Sequence, residues 1–133
     1  MKMAWIFSSS SPLYIQIADR IRANIVCGVY AKQEKLPAVR ELALEASVNP
    51  NTMQRAFTCL ENEGLVITAG TMGRFVTDDD RAIQEAREKM ASMFVRDFAD
   101  KITRLGYSLA EAARLVENYN DSKEGNIYGE SNS

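Results

Sequence analysis

The spacing of apolar residues changes once along this chain, and that change limits what it can fold into. From Leu13 to Leu60 they recur at three- and four-residue steps in three short runs; after Gly64 they alternate. The first run is Leu13, Ile17, Ile21 and Ile25, with Asp19, Arg20 and Arg22 between, the pattern of a helix with one buried face. Ser11 as N-cap, Pro12 at the first helical position and Gly28 as C-terminal cap predict its bounds. Residues 29–36 are polar and mixed and read as a connector. Pro37 then introduces a short helix over 38–46 that buries Val39, Leu42 and Ala43. Ser47-Val48 makes a turn, Asn49 suits an N-cap and Pro50 the first position of a third helix. That helix runs to about Glu63 with Met53, Ala56, Phe57 and Leu60 on its buried stripe.

Beyond Gly64, residues 65–68 and 74–77 read as paired strands, and the loop between them carries Gly70 and Gly73 where positive φ is needed. Three helices followed by a hairpin within residues 1–77 is the layout of a winged helix-turn-helix. Asp78-Asp79-Asp80 reads either as a solvated linker or as the acidic start of a fourth helix, and the helix dipole favours the second. This helix, over 79–104, carries Ile83, Ala86, Met90, Phe94, Phe98, Ile102 and Leu105 on one face. Gly106-Tyr107 breaks it, and Ser108 with Glu111 forms a capping box for a fifth helix burying Leu109, Ala112, Ala113, Val116 and Tyr119. The fold class is mainly α with a small β-hairpin: a winged domain, a two-helix appendage over 78–119, and a polar tail over 120–133 expected to be disordered. Residues 5–7 are left open between docking on the domain and pairing as an extra strand.

Composition removes several function classes. No apolar run reaches the roughly 18–20 residues of a membrane span, and residues 1–7 are too short for a secretory signal. A soluble, cytoplasmic protein with no membrane partner is expected. The sequence has no histidine, which removes the commonest general base and metal ligand. Cys27 and Cys59 lie in apolar helical patterns and read as small buried hydrophobes of a reducing compartment. No catalytic residue, metal site or cofactor is expected. The net charge of −2 divides unevenly: residues 1–77 hold eight Lys and Arg against six Asp and Glu, residues 78–133 eight against twelve. Nucleic-acid binding would therefore rest on a local patch of the first part.

The third helix supplies side chains for such a patch. Asn51, Thr52, Gln54 and Arg55 lie off its apolar stripe near the N-terminus. Asn and Gln can pair bidentately with adenine and Arg with guanine, while helix-start N–H groups can hold a phosphate. The plainer alternative is that Asn49 only caps and that Gln54 and Arg55 are solvated; the order of helix-turn-helix and Gly-bearing wing favours DNA reading.

Four blocks in order carry a closer likeness: residues 36–43, 48–56, 60–66 and 73–76. Leu36-Pro37-Ala38-Val39-Arg40-Glu41-Leu42-Ala43, Val48-Asn49-Pro50-Asn51-Thr52-Met53-Gln54-Arg55-Ala56, Leu60-Glu61-Asn62-Glu63-Gly64-Leu65-Val66 and Gly73-Arg74-Phe75-Val76 resemble the DNA-binding domain of the GntR family of bacterial regulators. Pro12-Leu13-Tyr14-Ile15-Gln16-Ile17 and the short C-terminal part resemble its YtrA subfamily. The resemblance implies DNA contacts at Arg40, Asn49, Asn51, Thr52, Gln54 and Arg55, a wing at Gly73 that approaches the minor groove, and a phosphate contact from Arg74. The alternative for Arg40 is a salt bridge to a neighbouring Glu. One departure is Ala38, where the family has Ser; the lost cap weakens the second helix by about 0.5–2 kcal/mol and removes one phosphate donor.

The appendage is too short for a core of its own. The resemblance implies homodimerisation through it on palindromic double-stranded DNA, with Met90, Met93, Phe94, Phe98, Ile102, Leu109, Val116 and Tyr119 as candidate interface residues. The same residues could instead form an intrachain helix pair. A Met- and Phe-lined pocket for a small effector is left open. The function expected is a sequence-specific regulator, a repressor by preference, with a winged-helix protein-interaction module as the rival.

Overall fold

The computed structural model describes residues 5–129, with side chains described through Lys123. Five α-helices and a two-stranded antiparallel hairpin follow one another: α1 Leu13–Val26, α2 Val39–Ala46, α3 Pro50–Asn62, β1 Val66–Thr68, β2 Arg74–Val76, α4 Asp80–Arg104 and α5 Leu109–Gly129. The described residues divide into two compact units after Lys89, inside α4. The boundary expected at 77/78 therefore falls later, because Ile83 and Ala86 pack against the first core.

That core is the predicted one. Ile17, Ile21 and Ile25 of α1, Leu42 and Ala43 of α2, and Met53, Ala56, Phe57 and Leu60 of α3 are buried together with Leu65, Val66 and Val76. The α3 stripe is fully enclosed because α1, α2 and β1 all pack against this helix. In the hairpin Val66 pairs with Val76, Ile67 with Phe75 and Thr68 with Arg74. A single 3₁₀ turn, Gly70–Met72, closes it.

Local rules set most element ends. Asn49 caps α3, its side chain accepting from the Asn51 N–H at 2.7 Å, with Pro50 in the first turn. Asp79 caps α4 through Oδ1, which accepts from the N–H groups of Arg81 and Ala82 at 3.0 and 3.3 Å, so the three acids open a helix rather than a linker. The capping box of α5 is formed: Ser108 N–H donates to Glu111 Oε1 at 2.9 Å, and Glu111 N–H to Ser108 Oγ at 3.1 Å. The Ser108 backbone N–H also holds the Glu111 carboxyl below its usual range.

Several expectations are corrected. Ser11 does not cap α1: Pro12 occupies the cap position, and the Ser11 carbonyl instead accepts from Gln16 Nε2 at 2.8 Å. Residues 29–36 are more than a connector. Val76 N–H donates to the Glu34 carbonyl at 2.9 Å and Leu36 N–H to the Arg74 carbonyl at 2.8 Å, with Lys35 bridged to Phe75. This pairing is main-chain chemistry and leaves no apolar alternation for a sequence to show. Cys27 is exposed and Cys59 half-buried; both are free thiols. Cys27 follows the last turn of α1 as its C-cap, past the buried face. Residues 5–7 dock instead of adding a strand: Trp5 and Phe7 pack on the core, and Trp5 Nε1 donates to Glu45 Oε2 at 3.3 Å. The tail expected from Asn120 is helical through Gly129, since no proline interrupts the backbone ladder; residues 130–133 lie outside the described residues.

In the second unit, Ala112 is buried while Met93, Phe94, Val95, Leu105, Leu109, Val116 and Tyr119 are 53–74% exposed. Their apolar faces stay largely open in the single chain, with Met90 and Ile102 half-buried beside them.

Two substitutions test the fold. Arg87 donates from Nε and Nη2 to the Val26 carbonyl at 3.1 and 2.8 Å, satisfying the end of α1 with a cation. Arg87→Ala should lower unfolding free energy by about 1–2 kcal/mol, less than a fully buried charged donor because the side chain is largely exposed. Asn49→Ala should remove about 1 kcal/mol through the lost cap. Urea midpoints at unchanged m-value measure both.

Candidate nucleic-acid interface

The turn between α2 and α3 is tight because Ser47 adopts a left-handed conformation, φ 58° and ψ 45°. Its N–H donates to the Leu44 carbonyl, and that of Val48 to the Ala43 carbonyl. Ala38, at the start of α2, makes no side-chain cap, as its missing hydroxyl dictates. Arg40 projects from the first turn of α2 and is exposed. With Met53, Ala56, Phe57 and Leu60 buried, the other positions of α3 turn outward: Asn51, Arg55 and Thr58 are exposed, Thr52 and Gln54 half-buried.

Asn49 is engaged structurally. Its side-chain oxygen takes the Asn51 N–H, and its carbonyl takes those of Thr52 and Met53 at 3.0 and 3.1 Å. Pro50 has no N–H. The first-turn donors that could have held a phosphate are thus occupied, and anion binding falls to side chains.

Arg55 is held by a residue the sequence reading did not single out. Its guanidinium carbon lies 3.8 Å from the centre of the Tyr14 ring on α1. The planar cation stacks on the aromatic face, which orients its N–H edges without using them. Tyr14, Pro12 and Leu13 face Asn51, Thr52 and Arg55 across an open cleft between the starts of α1 and α3. Hydrogen-bond donors and a cation line this cleft, as an anionic backbone requires. A Tyr one residue into an apolar helix carries no periodic signal that would single it out.

The wing differs from expectation in one direction. Gly73 has φ 111°, which favours glycine; a Cβ there would lie 3.0 Å from Cε of Lys35, a flexible side chain that can give way. Lys35, exposed and carried to the hairpin by the pairing of residues 33–36, is a cation at the wing that sequence reading missed. Arg74 points inward. Nη2 donates to Gln54 Oε1 at 3.1 Å, Nε lies 3.6 Å from Glu61 Oε2, and the guanidinium sits 5.4 Å from the Phe57 ring centre. Glu61 also accepts a hydrogen bond from Thr68 of β1. Arg22 and Lys32 are tied up in ion pairs, Arg22 with Asp19 and Glu63 and Lys32 with Asp80. Arg40, Arg55 and Lys35 therefore form the exposed cationic set of this surface. Among the described residues there is no cluster of metal-ligating side chains, and no helix is long and apolar enough to cross a membrane.

Comparison with known proteins agrees with this geometry. Residues 13–76 match the family described as bacterial regulatory proteins, gntR family. The uncharacterized HTH-type transcriptional regulator YhcF of Bacillus subtilis is 32% identical over 115 residues, covering 86% of this chain and 95% of that protein. The HTH-type transcriptional repressor YtrA of the same organism is 37% identical over 71 residues, 53% of this chain and 55% of the relative. The solved structure of a GntR family transcriptional regulator from Listeria monocytogenes superposes with a TM-score of 0.78 at 34% identity, covering 84% of this chain and 98% of that one. The chain belongs to the GntR family of bacterial transcriptional regulators, with a YtrA-like winged DNA-binding domain.

Proposed function

We propose that this regulator is a homodimeric repressor that reads a palindromic operator, with α3 in the major groove and the wing beside it. The outward face of α3 carries the reading: Asn51, Gln54, Arg55 and Thr58 stand opposite a stripe that is fully buried, so they are presented by a rigid element. Asn51 and Gln54 offer carboxamides to base edges, while Arg55, braced on Tyr14, and Arg40 offer cations to phosphate or guanine. Thr52, in the cleft between α1 and α3, serves a backbone contact. Asn49 sets the start of the helix and offers only its amide NH₂. Gly73 and Lys35 carry the wing to the adjoining backbone.

Homodimerisation is supported by the open apolar faces of the second unit. Met93, Phe94, Phe98, Leu109, Val116 and Tyr119 are exposed there, with Met90 and Ile102 half-buried beside them. Such a face is stabilised by a second copy, and a two-fold protein matches an inverted repeat. Repression is the role in the name of the YtrA relative. A cytoplasmic location fits action on DNA. A small effector that favours one dimer geometry would tune operator affinity by that preference.

Selection of duplexes from a random pool tests the reading. An inverted repeat should emerge, with half-site centres about 10 base pairs apart or a multiple of this. Affinity should fall steeply with salt, the log–log slope being about −0.9 per phosphate contacted. A folded protein that enriches no sequence at low salt would refute it. Gln54→Ala should relax preference at one base position per half-site, by roughly 1–3 kcal/mol. Light scattering should show a dimer at micromolar concentration that Phe94→Glu or Val116→Glu converts to monomer; a wild-type monomer would remove the interface.

A further inference from the structure

Arg74 stands in the wing strand, yet its side chain leaves the wing and crosses to α3. It is half-buried, stacked near Phe57, with Glu61 beside Nε and Gln54 Oε1 on Nη2 at 3.1 Å. Arginine carries only donors, so the oxygen of the Gln54 carboxamide must face it and the NH₂ group must point away. On that side Nε2 reaches only a long contact of 3.4 Å to Thr58 Oγ1, whose hydroxyl donates to the Gln54 carbonyl at 3.0 Å. The amide is therefore oriented before any ligand arrives, with its acceptor engaged by a cation and its donor edge turned toward solvent.

Resting on the DNA-reading function above, we propose that Arg74 is a positioning residue for base readout. It holds Gln54 so that the side chain reads as a donor and selects guanine or thymine instead of pairing bidentately with adenine. The physical reason is polarity. Bidentate pairing with adenine needs Oε1 to accept from the base N6 amine, and that oxygen already accepts from a guanidinium, which also repels an incoming donor group. Guanine O6 and N7 and thymine O4 are acceptors, and they meet the free N–H with the positive charge behind it. The contact spans 20 residues of sequence, and it couples the wing strand to the specificity of the recognition helix.

Duplex selection with the full chain decides the matter. Gln54→Ala first marks the base position that depends on this side chain. There the wild type should prefer guanine or thymine. Arg74→Met keeps length and packing over Phe57 but donates nothing; the preference should drop by about tenfold or more and adenine should be admitted, with the salt slope and other positions unchanged. A uniform loss of affinity with a slope shallower by about 0.9 would instead make Arg74 a phosphate contact and overturn the proposal, as would no change at all. Should Arg74→Met fail to fold, Arg74→Lys gives the same discrimination. Lysine keeps the charge that a phosphate contact needs but lacks the planar fork, so positioning predicts weakened preference at constant slope, and a phosphate contact predicts both unchanged. Wild-type selection of adenine at the Gln54 position overturns this inference alone. Absence of any selected sequence removes the DNA-reading function itself.

Discussion

Burial of one face of α3 is the constraint on which the rest depends. Phe57, Met53, Ala56 and Leu60 are wholly enclosed by α1, α2 and the first strand. Each large apolar side chain among them contributes about 1.5–3 kcal/mol relative to exposure. Because a helix is rigid, fixing that stripe also fixes the opposite one. Asn51, Arg55 and Thr58 are left facing outward, with Gln54 half-buried at the edge of that face. The same Phe57 ring supports Arg74, so the core reaches through one aromatic side chain to the amide of Gln54.

The low charge of the protein fits this construction. With Arg22 and Lys32 in ion pairs and Arg74 turned inward, few cations face outward around α3. Exposed pairs such as Lys32–Asp80 contribute about 0–1 kcal/mol to stability. Their larger effect is to remove cations from the pool available to phosphate. Recognition that draws on few charges leans more heavily on hydrogen-bond direction. In the proposed function, bracing of Arg55 by Tyr14 and of Gln54 by Arg74 would serve that end, because an oriented donor loses less entropy on contact.

The second unit illustrates the opposite situation. Helical periodicity and caps are satisfied locally, but among the described residues of the unit only Ala112 is buried, with Met90, Ala99 and Ile102 half-buried. Two helices of this length cannot enclose a core. The amphipathic face is thus a surface in the single chain, and its exposure is the physical ground on which the homodimer is proposed.

Sequence by itself determined the elements and most of their ends. Apolar spacing, the Asn49-Pro50 start, the Asp79 cap and the Ser108–Glu111 box act within about four residues, the range over which a sequence can be read directly. The outward positions of α3 followed from the same periodicity, so Asn51, Gln54 and Arg55 were legible as a group. Tertiary structure alone decided what depends on residues far apart. Lys35 reaches the wing because its main chain pairs with Phe75, and Arg87 ends α1 from 61 residues away. Arg74, a wing residue by sequence, faces Gln54 because the hairpin packs on α3. Side-chain direction across such distances is set by packing of whole elements, and no local period encodes it.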